Sequence, residues 1–153
     1  MNNKMNENIL DPRKEAHAFA GYAHEGQFRW DGKTPYIAHP MRVAMEVADF
    51  TGRKDTTDDV VVAWLHDVVE DTPVTLEDIR DLEWSTDDQV DALDAITKRP
   101  GERYVDYIVR VKKNDIAVRV KIADINDNMN DGKISKGKRQ AYEFALAYLK
   151  GEL

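Results

Sequence analysis

The chain contains no cysteine. That excludes a disulfide framework and any metal site built on thiolates. No apolar run approaches the ~20 residues that cross a bilayer, so no membrane span is expected. Positive charge is scarce: 22 Lys and Arg stand against 29 Asp and Glu, for a formal net charge of −7. General nucleic-acid binding needs a basic footprint, so nucleic acid is not an expected partner. A small anionic substrate stays open, because a metal ion and a few local Lys or Arg can hold a phosphate on an acidic protein. Repeats, low-complexity tracts and linkers are missing as well, and strand signals are poor. With 42% hydrophobic residues, 153 residues suffice for one domain with a real core. A cytoplasmic location is the default expectation for such a chain. Residues 1–11 lack the apolar centre of a secretory signal and are expected to form a flexible lead-in to a domain over 12–153.

What the sequence has in abundance is helix signal. Ala16, Phe19, Ala20 and Ala23 repeat at helical spacing and predict a helix from about Pro12 to Glu25. Gly and Pro punctuation in GQFRWDGKTPYIAHP predicts an ordered loop. Pro40 suits the first position of a second helix, with His39 just outside and Gly52 as the stop. A third helix is expected over 57–71, ended by Pro73. Thr75 with Asp78, and Thr86 with Gln89, read as capping boxes that start two more. Helices near 103–113, 115–129 and 135–149 complete an all-helical bundle of roughly seven or eight.

One string breaks the ordinary pattern. In AWLHDVVEDT, residues 63–72, the apolar run is interrupted by His66, Asp67, Glu70 and Asp71. On a continuous helix these four fall within an arc of roughly 140°. Burying three carboxylates and an imidazole is costly unless a cation pairs with them, and a divalent metal is the simplest such cation. A second segment, VKIADINDN (120–128), follows the same logic. Lys121, Asp124 and Asn128 share one helix face, and Val118, Ile122, Ile125 and Met129 lie on another. Asp124 offers a third ligand and His39 a fourth. The set His39, His66, Asp67 and Asp124 mixes N and O donors, which suits manganese, iron, cobalt or zinc without choosing among them.

In order, PYIAHP, LHDVVEDT and KIADxxDN, together with AHEGQxR, resemble the HD-domain phosphohydrolases. More narrowly they resemble the ppGpp hydrolase domain of RelA/SpoT stringent-response proteins and their small stand-alone relatives of the Mesh type. The resemblance spans about Ala16 to Asn128 and is to the hydrolase-only form. It implies an all-α, single-domain HD-type bundle around one Mn(II), with other divalent transition metals as alternatives. It implies His39, His66, Asp67 and Asp124 as ligands, and Glu70 and Asp71 at the catalytic water. Arg29 aligns with an arginine that packs on the guanine base, and Asn128 with a residue near the ribose and phosphate. Lys121 is the best-placed cation for charge growing on the phosphate, ahead of Lys98 and Arg103. The implied reaction is release of pyrophosphate from ppGpp. The alternatives are another nucleotide phosphate, such as the 2′-phosphate of NADPH, or a nucleotide-sensing module without turnover. Exposed helix faces leave room for a homo-oligomer.

The chain departs from the family pattern at Trp30, Ile125 and Asp127, where basic or ring-bearing residues are common, and by one extra residue between Arg29 and His39. All four departures are expected on the substrate side. The ordinary explanation of a polar stripe such as 66–71 is a solvent-facing helix surface, but that does not account for His39 and Asp124. His17 and His24 are expected to be structural or surface histidines, Asp127 a solvated carboxylate, and Tyr104, Tyr107 and Phe144 core residues.

Overall fold

The computed structural model describes residues 9–50 and 52–153. Residues 1–8 of the expected lead-in lie outside the described residues. The described chain is all-helical, with nine helices: α1 (Pro12–Ala23), α2 (Ala38–Phe50), α3 (Thr57–Leu65), α4 (Val68–Asp71), α5 (Leu76–Arg80), α6 (Asp87–Ile96), α7 (Tyr104–Val111), α8 (Asp115–Asp131) and α9 (Lys136–Leu149). The only extended pairing among the described residues is an isolated bridge between Phe28 and Pro35.

Helix α3 is the centre of the bundle. Every residue from Asp59 to Leu65 is buried, so the helix is apolar all round and needs neighbours on every side. It packs against α1, α2, α6 and α8. Its one buried charge, Asp59, takes a two-pronged ion pair from Arg119 of α8, at 2.6 and 3.0 Å. Gln89 of α6 donates to Asp58 at 2.9 Å. These contacts fix the start of α3 against both partners. Both expected capping boxes are present, Thr75 with Asp78 and Thr86 with Gln89.

Three local expectations are corrected. The helix expected over 57–71 is two helices, and this break raises the count to nine. His66 Nδ1 donates to the Ala63 carbonyl at 2.6 Å, the acceptor that the Asp67 N–H would use in an unbroken helix. Asp67 then lies at φ −102°, ψ −4°, in the sparsely populated bridge region. Second, α2 starts two residues earlier than Pro40, so His39 lies within its first turn. Proline is tolerated there because the first four N–H groups have no intrahelical partner. Third, Phe144 is 39% exposed and stacks on Tyr148 instead of entering the core.

Candidate functional site

Two helices and one helix break deliver the candidate ligands to one point: His39 from the first turn of α2, Asp124 from the middle of α8, and His66 and Asp67 from the α3–α4 break. One ligand atom from each lies within 4.8 Å of all the others. His39 Nε2 is 2.8 Å from Asp124 Oδ1 and 3.5 Å from Asp67 Oδ2. His66 Nε2 is 3.2 Å from Asp124 Oδ1 and 3.1 Å from Asp67 Oδ2. Donors about 2.1 Å from an ion and at right angles to each other lie about 3.0 Å apart, so these edges fit a divalent cation.

The rest of the imidazole hydrogen bonding agrees with that fit. His66 Nδ1 faces the Ala63 carbonyl, which can only accept, so the Nδ1 carries the proton. His39 Nδ1 faces Asp127 Oδ2 at 2.6 Å, again an acceptor. Both Nε2 atoms are thereby left to point at the shared centre. This is how ligating histidines are commonly held. The two aspartates converge on the same centre, and like charges at that distance need a cation between them. Without a metal ion, protons on the imidazoles meet this need. Burial disfavours the charged form of His66 and of His39, but the facing carboxylates outweigh it and raise both pKa values above the usual range. Burial likewise works against ionised Asp67 and Asp124. The neighbouring cations outweigh it, His66 foremost for Asp67 and Lys121 for Asp124, and hold both carboxyls below the usual range.

Tyr36 donates to Asp67 Oδ2 at 2.7 Å. Arg42 grips Asp127 at 2.7 and 3.1 Å and reaches Asp131 at 2.8 Å. Asp131 also accepts from Arg29 Nε at 2.9 Å. Arg29 donates to Asn128 Oδ1 at 3.1 Å, and Asn128 donates to Asp124 Oδ1 at 3.1 Å. A continuous polar network therefore links Arg29 to two candidate ligands, His39 and Asp124. On α8, Asp124, Asp127, Asn128 and Asp131 fall within an arc of roughly 100°.

Several sequence expectations change here. Asp127 is not simply solvated: it stands behind His39, so its departure from the family pattern is not on the substrate side. Ile125 is fully buried in the hydrophobic core and does not face the site either. Trp30 does lie at the site's edge, 63% exposed, with its indole N–H on the Asp131 carbonyl at 2.8 Å. A side chain at position 132 would collide with that indole, whose Nε1 lies 2.7 Å from where a Cβ would stand, so Gly132 is needed for its seat. Lys121 is spent on Asp124, at 2.8 Å. Tyr36, Arg42, Asp127 and Asp131 were missed by sequence reasoning. The i+3 and i+7 spacing of Asp127 and Asp131 from Asp124 was the signal available.

Two cavities flank the centre. One, of about 310 Å³, is lined by Phe28, Arg29, Trp30, Tyr36, Asn128 and Tyr142 among others. The Arg29 guanidinium lies 5.5 Å from the Tyr36 ring centre and spreads along this wall. The other, of about 420 Å³, is lined by Glu70, Lys98, Tyr104, Lys121, Lys138 and Tyr142 among others. Lys138 and Tyr142 border both. Glu70 and Asp71 sit at the rim, one turn beyond His66 and Asp67. Glu70 accepts a hydrogen bond from the Lys98 backbone N–H. The outer edges of Glu70 and Asp71 meet solvent, but the protein wall behind them limits hydration. That partial desolvation, with repulsion from Asp67 added, raises both pKa values.

No protein-family model matches the chain. It is 32% identical to a guanosine-3′,5′-bis(diphosphate) 3′-pyrophosphohydrolase of Haemophilus influenzae, over 86% of this chain and 22% of that protein. It is also 32% identical to the bifunctional (p)ppGpp synthase/hydrolase SpoT of Escherichia coli K12, over 83% of this chain and 19% of that protein. The chain thus spans about a fifth of the length of the curated relatives it matches. Its fold matches the solved structure of a metazoan ortholog of SpoT that hydrolyses ppGpp, with a TM-score of 0.75 and 24% identity, covering 92% of this chain and 86% of the other. The all-α fold is therefore shared, and the resemblance to the hydrolase region of SpoT-type proteins is supported.

Proposed function

We propose that this protein is a Mn(II)-dependent phosphohydrolase of nucleotide phosphates, with ppGpp as substrate and GDP and pyrophosphate as products. The observation that carries the reading is the convergence of His39, His66, Asp67 and Asp124 beside two cavities of different chemistry, with Glu70 lining one of them and Asp71 next in the chain. The names of the relatives favour ppGpp over other phosphates.

His39, His66, Asp67 and Asp124 would hold the ion. When bound, it supplies Lewis acidity toward a phosphoryl oxygen and lowers the pKa of a nearby water. The chain's own residues do the rest. Arg29, held flat by Asn128 and Asp131, offers its planar face to the purine in the smaller cavity. Trp30 and Phe28 add apolar wall there. Glu70, with its raised pKa, orients the attacking water and takes its proton. The water oxygen bonds to the phosphorus next to the ribose O3′, and the bond from that phosphorus to O3′ breaks. Asp71, also raised, helps return a proton to O3′, and pyrophosphate leaves. Lys121 holds Asp124 in place rather than meeting the phosphate first. Lys98 and Lys138 face the phosphate-side cavity. The Glu70–Asp71 pair has no place in a module that only binds nucleotide, which favours turnover.

The test is a substrate panel. Purified protein with Mn(II) is offered ppGpp, pppGpp, NADPH and simple nucleotides, with Asp67→Ala as control. Pyrophosphate release from ppGpp and pppGpp, lost in the variant, is expected. Phosphate release from NADPH alone would move the substrate assignment to a 2′-phosphate, and tight binding without turnover would reduce the protein to a sensor.

A further inference from the structure

A tyrosine that lines the phosphate-side cavity carries a polar atom that the protein itself does not satisfy. The Tyr104 hydroxyl is buried and, among the described residues, has no hydrogen-bond partner. Its ring packs against the core on one side and lines the cavity of about 420 Å³ on the other. Native proteins rarely leave such a group unpaired, since a buried hydroxyl without a partner costs about 1–3 kcal/mol. The neighbouring tyrosine shows the ordinary solution: Tyr107, one turn into the same helix, gives its hydroxyl to the Ile96 carbonyl. Among the described residues Tyr104 has no equivalent acceptor.

The surroundings indicate which ligand would satisfy it. Lys98 and Lys138 line the same cavity, and among the described residues neither ammonium has an ion-pair partner. Lys138 has only the Tyr142 ring face, 5.7 Å away. Lys121 and Asp124 are close enough to act electrostatically on the Tyr104 hydroxyl, so this end of the cavity adjoins the candidate metal centre. Burial pushes the phenol up to about 12, and Lys121 only partly offsets this, so the group is a donor, not an anion, at neutral pH. Two unpaired ammoniums and an unpaired O–H donor beside a metal centre are complementary to an anion rich in acceptor oxygens.

We propose that Tyr104 is a substrate-binding residue whose hydroxyl donates to a phosphoryl oxygen of the diphosphate, between Lys98 and Lys138. The proposal rests on the reading of this cavity as the phosphate side of the site. It assigns Tyr104 a role apart from the core position its spacing suggests, and it makes this residue a selector for diphosphate over monophosphate.

The test is Tyr104→Phe in the full chain, with inorganic pyrophosphate and inorganic phosphate as probes. Calorimetric titration is run on chelator-stripped protein and again with Mn(II). The expected result is pyrophosphate affinity lowered about tenfold, little change for inorganic phosphate, and a melting temperature equal to or above that of the parent. The stability readout matters because removing an unpaired buried hydroxyl does not destabilise, whereas removing one bonded to a structural water does. For ppGpp turnover, KM rises more than kcat falls. Unchanged pyrophosphate affinity in the variant, no pyrophosphate binding by the parent, or a lowered melting temperature each overturns the proposal. Weakened pyrophosphate binding by the variant of a parent that hydrolyses no nucleotide would uphold Tyr104 and sink the hydrolase reading. Normal ppGpp turnover with an unaffected variant would do the reverse.

Discussion

His39 has both ring nitrogens committed, and Asp127 commits one of them. The Nδ1–H donates to a carboxylate that is itself clamped by Arg42, so neither ring rotation nor the other tautomer is free. Partners behind a ligating histidine typically change metal affinity by 10- to 100-fold. Asp127→Asn keeps the shape but weakens the acceptor and releases Arg42. We expect Mn(II) affinity, measured by competition with a fluorescent chelator, to fall about tenfold. The fold should survive, because the amide has the same shape and can still accept from His39. Unchanged affinity would show that His39 is held by packing alone. Sequence reasoning found the four candidate ligands because they are spaced residues of unusual type within apolar runs. It missed Asp127 because an aspartate on a polar helix face is ordinary, and its i+3 spacing from Asp124 does not by itself show that it faces α2.

At the scale of elements, the site depends on two interruptions. The α3–α4 break places His66 and Asp67 at the centre while leaving Glu70 and Asp71 at the mouth. Periodicity could not show it, because the backbone at 66 stays near-helical and the competing hydrogen bond comes from an imidazole. The second interruption is the 97–103 turn, which carries Lys98 past Glu70. Arg110 anchors it, donating to the carbonyls of Asp94, Ala95 and Thr97 and pairing with Glu102 at 2.9 Å. The Arg110 hydrogen bond holds the Glu102 carboxyl down at about 2. A carboxylate with a lowered folded pKa stabilises above its unfolded value, near 4.5, and that contribution is lost as pH falls toward about 2. Glu102→Gln should therefore be less stable than the parent at neutral pH, by no more than about 1 kcal/mol for a pair that solvent still reaches. The difference should close between about pH 4.5 and 2. A constant gap across that range would show that the charge of Glu102 is not what anchors the turn. The capping boxes at Thr75 and Thr86 were legible because their chemistry is local. The anchoring of this turn was not, since it depends on α7 folding back onto it.

The molecule as a whole combines a buried apolar helix with a charged cluster at its end. All-helical class, element order and the four residues that converge as candidate ligands were legible in periodicity and motif. The placement of Ile125 in the core and of Asp127 behind His39 needed the packing of α8 against α2 and α3. Those placements also change the specificity question: among the departures from the family pattern, Trp30 alone lines a cavity at the site. Among the described residues no helix is long and apolar enough to cross a membrane. We propose that four side chains, from α2, α8 and the α3–α4 break, form one metal-dependent hydrolytic centre. The most direct measurement is pyrophosphate release from ppGpp by chelator-stripped protein as Mn(II) is titrated back. We expect no release in chelator, recovery that saturates near one ion per chain, and none at any Mn(II) concentration for Asp67→Ala. Release that persists in chelator, or that Asp67→Ala retains, would contradict it.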